Sequence, residues 1–133
     1  MSQVEEEIRR TIGGYSQRLD DGRFDEWAEL FTEDARLVLM GRTTTGREAI
    51  RRYMETVQPD GSRGMHVTTN SLIDVDGDQA TATTDYLFVR PVEQGISVIA
   101  AGRYYDRLVH HGDQWQFAER SITLLGAPDG GDR

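Results

Sequence analysis

Between residues 4 and 21 apolar positions recur at spacings of three and four, with Val4, Ile8, Ile12, Tyr15 and Leu19 on one stripe and Gly22 just beyond. That period predicts an amphipathic helix, and the glycine its end. Phe24, Trp27, Leu30 and Phe31 repeat the spacing and predict a second, short helix over 24–31, with Asp21 or Asp25 available as a cap. Ala35 to Met40 is a β-rich run set between the polar Thr32-Glu33-Asp34 and a loop, Gly41-Arg42-Thr43-Thr44. Thr45-Gly46-Arg47-Glu48 fits a capping box for a third helix, whose buried face is Ala49, Ile50, Tyr53, Met54 and Val57.

From Met65 onward the period is two. Met65 to Val75 and Ala80 to Val89 flank an Asp76-Gly77-Asp78 turn, and Ile96 to Val109 is joined to Trp115 to Leu124 through His110-His111-Gly112-Asp113. Three helices around one short strand, followed by four long strands, define an α+β fold. Its helices pack on one face of a curved antiparallel sheet, a cone with an internal pocket between the two layers. A chain of 133 residues suits one domain, expected over 1–125 with a turn-rich, flexible tail over 126–133.

Composition removes several classes of chemistry. With no cysteine there is no thiol nucleophile, disulfide or cysteine-ligated metal, and with arginine as the only basic side chain besides histidine there is no Schiff-base lysine. A net charge of -8 argues against nucleic-acid and anionic-membrane partners. No apolar run approaches the roughly 18 residues of a membrane span, and the acidic N-terminus does not read as a secretory signal, so a cytoplasmic location is expected. His110 and His111 point to opposite sides of a strand end, a poor metal geometry, and neither a metal nor a cofactor is expected.

The chemistry concentrates around Gly64-Met65-His66-Val67-Thr68-Thr69-Asn70. Strict alternation puts His66, Thr68, Asn70 and Leu72 on one face, so Asn70 is a candidate to orient a substrate beside His66. Asp20 lies in the last turn of the first helix, beside its apolar stripe. If it meets His66, a carboxylate braces an imidazole inside an apolar pocket, the outline of a general base. Tyr15 lies about 140° around the helix from Asp20, bordering the same pocket from another side, where its hydroxyl could polarise a substrate oxygen. Met54 and Phe88 are candidate pocket walls, with Trp27 beside them. Tyr104-Tyr105 sends one ring to each sheet face; alternation does not say which faces inward, and Tyr105 is the candidate. It also leaves open whether Arg120 or Glu119 faces inward.

Tyr15-x4-Asp20-x-Gly22, Trp27-x3-Phe31-Thr32-Glu33-Asp34-Ala35, Gly46-Arg47-Glu48-Ala49-Ile50, His66-x3-Asn70, Gly102-Arg103-Tyr104 and Trp115 together resemble the SnoaL-like branch of the nuclear transport factor 2-like superfamily. Asp20 and His66 fall where scytalone dehydratase, bile-acid dehydratase and the dehydrochlorinase LinA carry an Asp/His pair. Arg120 resembles a strand arginine that LinA uses to stabilise departing negative charge. Tyr15 matches a tyrosine of the ketosteroid isomerases, whose base position is Leu39 here; epoxide-hydrolase-like members use Arg-x-Asp where this chain reads Arg103-Tyr104-Tyr105. The resemblance implies a cofactor-independent lyase of dehydratase type on a small hydrophobic cyclic or polyketide-like substrate, with cyclase, isomerase or non-catalytic ligand-binding roles as alternatives. It also implies a homodimer or homotrimer.

Overall fold

Ser2 opens α1 (Gln3–Asp20), its hydroxyl accepting the Glu5 N–H at 3.0 Å and so satisfying an amide that the first turn leaves free. Ile8, Ile12, Tyr15 and Leu19 form the buried stripe, which packs on the sheet. The computed structural model describes residues 2–126, so the expected tail lies, from residue 127, outside the described residues.

α2 (Phe24–Ala28) is shorter than its apolar spacing predicts and has no side-chain cap. The chain straightens early because Phe31 enters the sheet, where it pairs with Phe117 while the Phe117 N–H donates to the Leu30 carbonyl at 2.8 Å. β1 (Phe31–Leu39) turns back through Met40 and Gly41, both at positive φ (54° and 76°), into β2 (Arg42–Thr45). The stretch read from sequence as a loop is therefore a strand, paired as Leu39 with Arg42 through Arg36 with Thr45. The capping box also fails to form. α3 (Arg47–Val57) has Gly46 at its N-cap, at φ 98°, and the Gly46 N–H donates to the Ala35 carbonyl at 2.7 Å; Thr45 is held in β2 instead.

β3 (Met65–Asp76), β4 (Gln79–Val92), β5 (Gly95–His111) and β6 (Gln114–Leu124) are the four long strands expected. The sheet order is β2-β1-β6-β5-β4-β3, curved and unclosed, antiparallel except where β1 lies parallel to β6. Three one-residue bulges break its alternation: between Thr68 and Ser71 in β3, at Ile99 in β5 and at Ala118 in β6. An extra residue inverts the facing of everything beyond it. In β6 Phe117 and Arg120, three apart, are thus both buried inward. No helix among the described residues is long and apolar enough to cross a membrane.

The core lies between α1, α2 and the inner faces of β1, β5 and β6. Tyr15, Trp27, Phe31 and Phe117 form its centre, with ring centroids 5.0 Å (Trp27 to Phe31) to 6.2 Å (Tyr15 to Phe31) apart. Edge-on and tilted pairs of this kind add to the area term of burial.

Candidate active site

α1 ends where β3 begins, and this juncture brings Asp20 to His66. The His66 ring Nδ1 lies 2.6 Å from Asp20 Oδ1, and the His66 backbone N–H donates to Oδ2 at 2.9 Å. One carboxylate therefore fixes both the strand start and the ring. A carboxylate can only accept, so Nδ1 carries the proton and Nε2 keeps its lone pair for the space the ring lines. Both side chains are largely buried, at 9% and 13% exposure.

That space is a cavity of about 140 Å³ lined by Tyr15 and Leu19 of α1, Leu39 of β1, Met54, Val57 and Gln58 at the end of α3, and His66, Tyr86, Phe88, Ala100, Tyr104 and Ile122 of the sheet. Seven of these are aliphatic or phenylalanine side chains, so the polar groups are few: the imidazole, three phenols and one amide. The His66 ring sits 4.6 Å from Phe88 and 6.1 Å from Tyr86. Tyr86 in turn stacks on Tyr104, centroids 4.4 Å apart and planes 5° from parallel. Gly102, paired with Tyr86 across the strands, makes that stack possible: a Cβ there would lie 2.9 Å from the Tyr86 ring and 2.1 Å from the Thr123 carbonyl oxygen.

Burial pushes the Tyr15 phenol up to about 12, partly opposed by the nearby Arg120 cation. Tyr86 is likewise pushed up to about 12 by burial, and Tyr104 well above its ordinary value. All three stay protonated at neutral pH and can donate to an oxygen in the cavity.

Asp20, His66, Tyr15, Met54 and Phe88 come together as the sequence suggests. Four other candidates do not join them. Asn70 is exposed, because the bulge in β3 turns it and Leu72 outward and brings Ser71 in, its hydroxyl 2.6 Å from that of Thr84. Tyr105 lies on the outer face, 45% exposed, and it is Tyr104 that faces the cavity. Trp27 is buried in the aromatic centre, 5.3 Å from Tyr15, and does not reach the cavity wall. Arg120 faces inward but lies behind the wall, its guanidinium on Asp106 and against the rings of Tyr15, Tyr104 and Phe117. Tyr86 was missed, although it shares with Phe88 an unbroken alternation over Ala80, Ala82, Thr84, Tyr86 and Phe88. Among the described residues no group of three or more histidine, aspartate and glutamate side chains is gathered as a metal would require.

The SnoaL-like domain family matches residues 2–121, and the chain belongs to that family. Among solved structures it is similar to Rv3472 from Mycobacterium tuberculosis, a protein of unknown function, at 30% identity and a TM-score of 0.84 over 94% of this chain and 77% of that one. A candidate scytalone dehydratase from Novosphingobium aromaticivorans shares 26% identity with a TM-score of 0.80, over 92% of this chain and 84% of its own. A protein from Catenulispora acidiphila, solved in complex with S-DNPA, shares 25% identity with a TM-score of 0.82, over 93% and 95% of the two chains. No curated protein matches.

Proposed function

We propose that the chain is a cofactor-independent lyase of dehydratase type, with His66 as general base, Asp20 as its brace and Tyr15 as a donor to substrate. The observation that carries the reading is the 2.6 Å contact of Asp20 with His66 Nδ1 at the wall of an apolar cavity. The substrate is a small hydrophobic cyclic compound with a hydroxyl β to a carbonyl. Nε2 of His66 takes the proton from the carbon between them, and the bond's electron pair moves onto the carbonyl oxygen, hydrogen-bonded by the tyrosines. As that enolate collapses to a conjugated double bond, the β C–O bond breaks and the imidazolium returns its proton to the departing hydroxide as water. A cyclase or isomerase would share the first proton transfer. The relative crystallised with a small molecule, and the candidate dehydratase among the similar structures, support this class of ligand and reaction.

The test is a screen of cyclic β-hydroxy ketones for the ultraviolet absorbance of the conjugated product. Turnover by the wild type, reduced about 10²–10⁴-fold in His66→Gln, supports the reading. Ligand binding without turnover by any member would favour a non-catalytic binding module.

We also propose that the chain self-associates as a homodimer or homotrimer through the outer sheet face, where Val67, Leu87 and Val98 are exposed. Light scattering of a monomer at working concentration would refute it. In this reading the protein acts in the cytoplasm.

A further inference from the structure

Behind the tyrosine wall lies a charge that no step of this elimination uses. Arg120 is 0% exposed, and its Nε and Nη2 donate to the two oxygens of Asp106 at 2.7 and 2.8 Å. Its third nitrogen, Nη1, makes no hydrogen bond of ordinary geometry among the described residues, although the guanidinium lies near enough to the Tyr15 hydroxyl to act on it as a donor. The guanidinium carbon lies 3.7 Å from the Tyr104 ring centroid, 4.2 Å from Tyr15 and 4.3 Å from Phe117.

Stability is a weak account of this arrangement. Buried ion pairs can often be replaced by apolar groups at no loss, and a buried N–H without a hydrogen bond of ordinary geometry is a further cost. The bidentate grip of Asp106 holds the guanidinium plane in one place, against the rings of Tyr15 and Tyr104, two phenols that also line the cavity. A cation against a ring face is attracted to it, and in a water-poor site its field reaches an anion hydrogen-bonded to the hydroxyl on that ring. Burial raises both phenols, and Arg120, which opposes it, acts on Tyr15 and Tyr104 more strongly than Asp106 does.

We propose that Arg120, locked by Asp106, is a positioning residue that acts through Tyr104 and Tyr15. It makes the tyrosine end of the cavity a site for a negatively charged oxygen, the enolate or phenolate of a single-ring compound. This deepens the lyase reading and rests on it for the reaction: the substrate is a ring ketone whose charge gathers on oxygen, not a compound whose leaving group carries the charge away. The cavity of about 140 Å³ is close to the roughly 150 Å³ that accommodates benzene, which sets the one-ring limit.

The experiment compares two single-ring probes of nearly equal shape, para-nitrophenolate and the neutral para-nitrotoluene, binding to wild type and to the double variant Arg120→Met/Asp106→Leu. Replacing both partners avoids stranding a buried charge. The wild type should prefer the phenolate, and the ratio of the two affinities should fall at least about fivefold in the variant, as expected for losing a cation screened by an effective dielectric near 20 and partly offset by Asp106. A loss of packing alone would weaken both probes together. An unchanged ratio in a folded variant overturns the proposal.

A second measurement follows the phenolate absorbance of the bound nitrophenol in both proteins: burial raises the phenols of this cavity and Arg120 opposes it, so the bound probe should ionise at lower pH in the wild type than in the double variant. Ionisation at the same or higher pH than in the variant, or no binding of the phenolate, also overturns it. Because the probe undergoes no elimination, a protein that prefers the phenolate yet turns over no hydroxy ketone would keep this inference and sink the lyase reading. Turnover without phenolate preference would do the reverse.

Discussion

Alkali should unfold this protein partly through Tyr15, and replacing that residue by phenylalanine should remove a definable share of the effect. In the unfolded chain the phenol ionises near 10.0; in the folded chain burial pushes it up to about 12, with Arg120 opposing. Below about pH 10 both states hold the proton and pH has no leverage. Between the two values the unfolded chain releases a proton that the folded one keeps, so rising pH draws the equilibrium toward unfolding. Each unit is worth about 1.4 kcal/mol, so Tyr15 contributes a loss of about 2 kcal/mol by pH 12, where the folded phenol is itself half ionised. Urea unfolding at a series of pH values, extrapolated linearly to water, measures it. Tyr15→Phe keeps the ring contacts with Trp27 and Tyr104, at 5.3 and 5.6 Å, and should have the shallower fall by about that amount. Tyr104 is also raised, so the wild-type slope exceeds the Tyr15 share and the difference between the two proteins is the quantity of interest. Parallel slopes would mean that the Tyr15 hydroxyl is hydrated and is not the neutral, buried donor the site requires.

Asp20→Asn keeps the shape but loses a charged acceptor shared by a ring and a backbone amide. Denaturant unfolding should show about 1.5–3 kcal/mol lost, and an unchanged midpoint would contradict the contact. Gly102→Ala should be destabilised by about 1–3 kcal/mol, because its Cβ meets the Thr123 carbonyl and the Tyr86 ring; near-neutrality in a thermal melt would refute the close approach. Asn70→Ala, on an exposed bulge, should stay within about 0.5 kcal/mol of wild type and bind ligands unchanged, and a clear loss of binding would return Asn70 to the cavity.

Periodicity located every long element, because over most of its length each shields one face more than the other. It failed where a single residue breaks the repeat. The bulges in β3 and β6 invert alternation, and this turned Asn70 outward and resolved Arg120 inward, neither of which a period-two reading can reach. Tyr104 against Tyr105 was undecidable for a related reason: facing depends on register against β4, which is a tertiary quantity. The early end of α2 and the failed capping box likewise reflect pairing of Phe31 with Phe117 and Gly46 with Ala35, contacts distant in sequence overriding local preference. Asp20 and His66 were legible because both sit next to the ends of regular elements, where one turn of helix and the first residues of a strand leave little freedom.

The central claim is that Asp20 sets the tautomer of His66 and leaves Nε2 bare toward the cavity. Nitrogen-15 NMR of the imidazole, at a pH where the ring is neutral, tests it directly. The account predicts a protonated Nδ1 and an unprotonated Nε2 in wild type, with mixed tautomers in Asp20→Asn. A wild-type ring protonated at Nε2, or nitrogen shifts identical in the two proteins, would contradict it.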